Sequence, residues 1–340
     1  MLKSILKMDS FKLQRGLNNG KQIPINKRKI ANKTVLAIWK MYRTFLLFGL
    51  SVIILYPLMY SVSVAFRPVH ELYDPLVIYV PRSLTLDNLM ETMKYLDYGQ
   101  ALLNSVKLNL ITTIIQLIVC SLIGYGLARY NFRGKGLVFS LVILTIIVPP
   151  QTIIIPNFIN FRYFDLFGIG KLVGFFTGHD VSFNLINSNW SFYLPAMFGM
   201  GLRSGLFIFI FRQFFRGMPK DLEEAAYIDG CSQLKTYFKV MVPNAGPAFL
   251  TSFLFSIVWY WNDFVYTSTY LANAKTVMYQ LHLLTQRIGY ILQYEKQVNP
   301  YEGIVLMQSG VILGILPLLI IYVSLQKYFT ESIERSGIVG

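Results

Sequence analysis

The chain has 340 residues, 54% of them hydrophobic and only 14% charged, with 31 Lys/Arg against 17 Asp/Glu and a formal net charge of +14. That composition is too apolar for a water-soluble domain. Apolar runs of about 20 residues recur, the length of helix that crosses a bilayer's hydrocarbon core, so the expected class is an all-α polytopic membrane protein.

Residues 1–42 form a basic tail with ten Lys/Arg and one acid, Asp9. The first apolar run, about 44–66, is too long and starts too late for a secretory signal, and reads as an uncleaved first span. Five further spans are expected at roughly 101–128, 136–160, 194–215, 246–270 and 304–326. Pro57, Pro149, Pro150, Pro156 and Pro317 lie inside these runs, where a bundle tolerates kinks if neighbours satisfy the freed carbonyls. Six spans put both termini on one side. The segments on that side (1–43, 129–135, 212–239 and 327–340) hold 21 Lys/Arg and 7 Asp/Glu, so the whole net charge sits on one face. The positive-inside rule makes that face cytoplasmic. Nucleic acid is not needed to explain the charge.

The expected organisation is a basic cytoplasmic tail (1–42), a first transmembrane helix (43–66), an extracytoplasmic loop (67–97), a five-span body (98–326) and a cytoplasmic tail (327–340). The body carries an outer loop at 161–193 and a polar cytoplasmic segment at 218–243. The outer loops are rich in Tyr, Phe, Asn and Gly, which suits interfacial anchoring or docking.

Chemistry of the usual kinds is not visible. No Gly-x-x-x-x-Gly-Lys-Ser/Thr loop occurs, nor His-Glu-x-x-His, nor Gly-x-Ser-x-Gly. Cys120 and Cys231 are expected in different compartments, and His70, His179 and His282 are isolated, so no metal, no cofactor and no catalytic set is expected. Work done by such a chain must be driven by a partner or an ion gradient.

The segment 218–243 is where a partner's work could be received. Pro219 suits a first helical position, and Asp221, Glu223 and Glu224 favour the helix's positive end. Leu222, Ala225, Ala226 and Asp229 follow i, i+3, i+4, i+7 spacing and predict one face with a small-residue centre. Gly230 fits the position just past the helix, and Ser232 can cap a second helix running to Pro243. On these residues alone, a solvated connector remains open.

Glu224-Ala225-Ala226-x-x-x-Gly230, followed by Val240-x-Val242-Pro243, resembles the EAA loop of binding-protein-dependent ABC importer permeases. Leu103-Asn-Ser-Val106, Tyr125-Gly-Leu-Ala-Arg129, Phe132-Arg-Gly134, Pro149-Pro-Gln151, Arg212-Gln-Phe-Phe215 and Trp261-Asn-Asp-Phe264 are similar to the carbohydrate branch, in particular its second maltose-type permease subunit. The resemblance covers about 95–340. It implies a permease core at 98–326, with the loop between the fourth and fifth spans serving as a coupling helix. It implies further that Leu222, Glu224, Ala225, Ala226, Asp229, Gly230 and Pro243 engage a cytoplasmic ATPase, Glu224 meeting its basic groups. The partners implied are a second permease subunit, two ATPase subunits, an extracytoplasmic solute-binding protein and a sugar. The chain itself is then no enzyme.

Cys231 and Asn244 depart from the family pattern, as does the charged tail Glu331-Ser-Ile-Glu-Arg335. The outer loop at 161–193 is enlarged, with Gly178-His-Asp180 and Asn184 to Trp190, and is expected to add contacts to the binding protein. For the substrate path the candidates are Arg203, Trp261, Asn262 and Asp263. On a continuous helix Arg203 would lie roughly 13–14 Å from Arg212, near mid-membrane, and would need a wet cavity. Alternatively the fourth span breaks near Gly199-Met-Gly201 and Arg203 reaches the outer interface. Asn262 and Asp263 beside Trp261 suit sugar recognition, or equally gating or packing. An importer of another solute and a gradient-driven carrier are the competing functions.

Overall fold

The computed structural model describes residues 25–77, 79–165, 168–178, 182–273, 275–294 and 300–337, with side chains withheld at 25–33, 177, 291–294, 300–302 and 329–337. His179, Asp180 and the start of the basic tail lie outside the described residues, as do the side chains of Glu331 to Arg335. Described residues are almost wholly helical. Their isolated extended pairing is an antiparallel bridge between Phe164 and Phe183, in the segment 161–193.

The chain divides into two compact units at Tyr60/Ser61. The first unit's described part is most of helix α1 (Ile25–Ala65), which contains Pro57. Its apolar side chains, from Val35 through Phe45 and Ile53 to Met59, are exposed. An apolar helix of this length with such a surface has lipid as its natural solvent.

The second unit is built around α3 (Tyr98–Arg129), which packs most extensively on α8 (Ser204–Gly217) and also on α7 (Trp190–Met197), α11 (Gly246–Trp261) and α13 (Val277–Tyr294). Helix α2 (Asp87–Tyr95) and the long α14 (Pro300–Gly337) pack together beside it. Gly124 makes the α3–α8 contact possible. A Cβ there would lie 2.7 Å from Phe211 Cβ and 2.9 Å from the Arg212 backbone nitrogen. Around it Phe207, Phe211, Phe215, Tyr237 and Met241 are completely or nearly buried. In a bundle immersed in lipid such close van der Waals packing, rather than water exclusion, holds helices together.

Expected spans and observed helices differ in one respect: several are broken. Among the described residues three helices are long and apolar enough to cross a membrane singly, Thr34–Ala65, Tyr98–Arg129 and Gly303–Tyr328. The run expected at 136–160 is α4 (Lys135–Ile147) joined through Pro149-Pro150 to α5 (Ile154–Arg162), the two bent by 99°. Two prolines in succession remove two donors and hold the chain extended before the second, so one rod cannot form. The run expected at 194–215 is α7, a break at 198–203, and α8. The run expected at 246–270 is α11, a break at Asn262–Phe264, and α12 (Val265–Tyr270).

Pro317 sits inside α14 without ending it. The carbonyl it frees, on Leu313, accepts from the Tyr98 hydroxyl at 2.9 Å, and the neighbouring Gly314 carbonyl accepts from Trp261 Nε1 at 2.9 Å. Neighbouring helices thus supply the donors that the proline lacks.

Candidate functional site: the polar loop and its anchor

Helix α9 (Asp221–Ile228) opens the polar loop, with Asp221, Glu223 and Glu224 in its first turn. Pro219 falls just before the capping residue Lys220 rather than at the first helical position. Asp229 is the C-cap, and Gly230 follows at φ +76°. Its N–H donates to the Tyr227 carbonyl at 3.0 Å, and the Cys231 N–H donates to the Ala226 carbonyl at 2.9 Å. This paired closure needs a left-handed residue, which is why glycine stands there. The Ser232 hydroxyl then accepts from the Lys235 N–H and caps α10 (Gln233–Thr236). The chain continues through a wide turn (Tyr237–Met241) and Val242–Asn244 before bending 77° into α11.

The orientation of α9 differs from the expected face. Ala226 is buried and Leu222 half-buried, whereas Glu224, Ala225, Tyr227 and Asp229 are exposed and Ile228 is 87% exposed. The reason is Glu223, which turns inward. Its carboxylate pairs with Arg129 Nε at 3.0 Å and accepts from the Tyr125 hydroxyl at 2.6 Å. Both partners of the ion pair are about nine-tenths buried. Arg129 Nη2 also donates to the carbonyls of Met218, at 2.9 Å, and Pro219, at 3.4 Å. One turn deeper on α3, Ser121 shares a 2.6 Å hydrogen bond with the Tyr237 hydroxyl. An open cleft of about 540 Å³ lies beside the pair, with Lys220, Glu224 and Tyr227 on its rim. The outward ridge of α9 is therefore Glu224, Ala225 and Ile228, and its inward ridge is Leu222, Glu223 and Ala226.

In the sequence Tyr125 and Arg129 stand in one motif and Glu223 at a helix start far along the chain, and the chain pattern carries no sign of their pairing. The signal available for the direction of Glu223 was the i, i+3 spacing that sets it on the same face as Ala226.

The second candidate group lies at the two helix breaks. Arg203 takes a left-handed backbone (φ 60°) at the N-cap of α8, so the fourth apolar run is broken as the alternative reading has it. Its side chain is exposed, with the guanidinium 5.6 Å from the Trp259 ring centroid. The break is pinned from both sides. Gln116 Nε2 donates to the Leu202 carbonyl at 2.7 Å and the Ser204 hydroxyl at 2.8 Å, and the Leu202 N–H donates to the Tyr260 hydroxyl at 3.0 Å. Trp261 is buried, its indole engaged by Gly314. Asp263 accepts from the backbone of Tyr266 and Thr267 and from the Thr267 hydroxyl, capping α12. Asn262 is exposed and donates to the Val258 carbonyl. The four candidates thus separate: Arg203 and Asn262 present exposed polar side chains, while Trp261 and Asp263 spend theirs on helix packing and capping. No group of three or more His, Cys, Asp or Glu placed to hold a metal occurs among the described residues.

Residues 120–335 match the protein family described as binding-protein-dependent transport system inner membrane component. The chain is similar to the arabinooligosaccharides transport system permease protein AraQ of Bacillus subtilis, with 30% identity over 243 residues, 72% of this chain and 74% of the relative. AraQ of Halalkalibacterium halodurans is 27% identical over 291 residues, 85% and 92% of the two chains. The probable starch degradation products transport system permease protein AmyC of Thermoanaerobacterium thermosulfurigenes is 25% identical over 301 residues, 88% and 97%. Among solved structures, a chain of a bacterial ABC transporter involved in the import of the acidic polysaccharide alginate superposes with a TM-score of 0.66 at 20% identity, covering 91% of this chain and 100% of that one.

Proposed function

The chain belongs to the family of binding-protein-dependent transport system inner membrane components, and we propose that it is the membrane-spanning subunit of an ATP-driven importer whose cargo is a sugar or oligosaccharide. The observation that carries the reading is the family match across 120–335, which includes the loop 218–243 and both helix breaks. Carbohydrate cargo is supported by relatives named for arabinooligosaccharides and starch degradation products.

In this reading the chain crosses the membrane six times, the third, fourth and fifth crossings being the broken runs described above. Both termini and the loop 218–243 face the cytoplasm, as the Lys/Arg excess on those segments favours. The chain works beside a second permease subunit, two ATPase subunits and an extracytoplasmic binding protein. Leu222, Glu224, Ala225, Ala226, Asp229, Gly230 and Pro243 form the coupling loop. Glu224 and Asp229, both exposed, are the acids among these that an ATPase's basic groups can meet, while Ala225 leaves room for close approach. Gly230 turns the chain and Pro243 sits at the bend that leads into α11. Closure of the ATPase pair moves this loop and with it the spans.

Along the cargo path, Arg203 and Asn262 supply the exposed polar groups. A cation seated on Trp259 at a helix break suits hydroxyl-rich cargo, because guanidinium donors and aromatic faces both recognise sugars. Trp261 and Asp263 contribute by holding the breaks.

The experiment is to purify the assembled transporter and measure which sugar, presented on its binding protein, stimulates ATP hydrolysis. Stimulation by an oligosaccharide supports the reading. Stimulation by a non-carbohydrate solute alone would replace the cargo and keep the machine, and uptake that follows an ion gradient without ATP would overturn it.

A further inference from the structure

Ser121, Tyr125 and Arg129 stand at i, i+4 and i+8 on α3, so they lie along one face of that helix. Every one of them bonds the polar loop or its approach: Ser121 to Tyr237, Tyr125 to Glu223, and Arg129 to Glu223, Met218 and Pro219. The Tyr125 ring also packs on Tyr237 and Phe215, with centroids 5.1 and 5.4 Å apart. The loop therefore rests on α3 through charge, hydrogen bonds and aromatic contact at three successive turns. The same helix continues upward with Gln116, which grips both sides of the break at Arg203 and accepts from the Ser256 hydroxyl of α11. One continuous helix thus touches the coupling loop at its C-terminal end and the pinned break of the fourth crossing further along.

We propose that Glu223, Arg129 and Tyr125 form a buried clasp that makes the coupling loop and α3 one mechanical body, so that ATPase-driven motion reaches the break at 198–203 through α3. The proposal rests on the functional reading above and adds to it which crossing receives the motion. These three are positioning residues, since Glu224 and its neighbours on the outer ridge are the ones that face the ATPase. The chemistry suits the task. A buried pair with one partner removed leaves an uncompensated charge, so the clasp holds as a unit or fails as one. Tyr125 donates to one carboxylate oxygen while the other lies 3.0 Å from Arg129 Nε, so the carboxylate is held from two sides.

The test compares wild type, Glu223→Gln, Arg129→Lys and Tyr125→Phe in the assembled transporter in proteoliposomes. Two quantities are read: solute imported per ATP hydrolysed, and the distance between spin labels at Phe132→Cys and Leu234→Cys in a background with Cys120 and Cys231 changed to Ala. Phe132 and Leu234 are both exposed. In wild type the label distance should be single and the same with and without ATP. Glu223→Gln should lower the import ratio about tenfold, within the 5–150-fold range of coupling between linked sites, and add a second distance. Arg129→Lys should recover part of the ratio relative to Glu223→Gln. Tyr125→Phe keeps the ring packing, so it remains informative if Glu223→Gln does not assemble, and should lower the ratio a few-fold. A wild-type distance that shifts with ATP would overturn the proposal, as would an unchanged import ratio in Tyr125→Phe and Glu223→Gln alike. Absence of ATP-driven import in wild type would instead sink the functional reading itself.

Discussion

Gly124 and Gly126 lie two residues apart near the C-terminal end of α3, and alanine at the first should cost stability that alanine at the second does not. A methyl group at Gly124 would stand 2.7 Å from Phe211 Cβ and 2.9 Å from the Arg212 nitrogen, the latter a backbone atom of a packed helix. Carbon atoms in contact prefer about 3.5–4.0 Å, so α3 and α8 must part by roughly 1 Å along their tightest line. Overpacking of this kind costs about 1–3 kcal/mol, against which alanine recovers up to about 1 kcal/mol of helix propensity. Gly124→Ala should therefore destabilise by about 1–2 kcal/mol. At Gly126 nothing lies within 4 Å of an added Cβ, so Gly126→Ala should be neutral or stabilising by up to about 1 kcal/mol. The assay is thermal unfolding of the detergent-solubilised, assembled transporter, followed by loss of monodisperse complex and by tryptophan fluorescence. If Gly124→Ala proves as stable as Gly126→Ala, the α3–α8 contact is not as close as described, and the anchoring of the loop on those two helices loses its footing.

Gly230→Pro should abolish import while leaving the chain inserted. Proline's φ near −65° cannot meet +76°, and its missing N–H breaks the bond to the Tyr227 carbonyl. Immunoblots of the membrane fraction beside uptake assays decide this. Tyr98→Phe removes the donor that satisfies the carbonyl freed by Pro317, and should cost about 1–3 kcal/mol in the same unfolding assay. In the loop that follows α1 the Ser83 hydroxyl, with the Arg82 and Ser83 backbone N–H groups, holds the Glu71 carboxyl below the usual carboxylate range. A lowered folded-state value means this contribution is present above the unfolded carboxylate's value and is lost as pH falls through the folded one. Limited proteolysis of the 69–85 turn should accelerate on acidification in wild type, and Glu71→Gln should remove most of that dependence.

The apolar runs were readable because bilayer thickness imposes a length and a composition on any crossing helix, and α3 and α14 coincide with two of them. The breaks were harder to see. Whether the run around Arg203 is continuous depends on Gln116 and Tyr260 gripping the strained turn from other helices, and no pattern local to 198–204 reveals that grip. The same limit applied to the loop. Its Gly230 and Ser232 signals are local backbone chemistry, and both hold in the structure. The direction in which α9 faces is a tertiary property, set by Arg129 and Tyr125 drawing Glu223 inward, and so the expected outward face of Leu222, Ala225, Ala226 and Asp229 came apart. The polar seam of α3 was hidden for a similar reason. Ser105, Asn109, Thr112 and Gln116 are scattered through an apolar run, and only the packing of α8, α11 and α13 against one side shows that they are buried together.

In the proposed function an ATPase drives this chain through the loop at 218–243. That dependence is tested most directly by sugar uptake into proteoliposomes holding the purified complex, its binding protein and internal ATP, comparing wild type with Glu224→Arg. Reversing an exposed acid on the outer ridge should leave the loop folded and the complex inserted while cutting ATP-dependent uptake by about tenfold or more, since like charges placed against basic partners cost several kcal/mol. Uptake by Glu224→Arg at the wild-type rate, with ATP still required, would contradict the account.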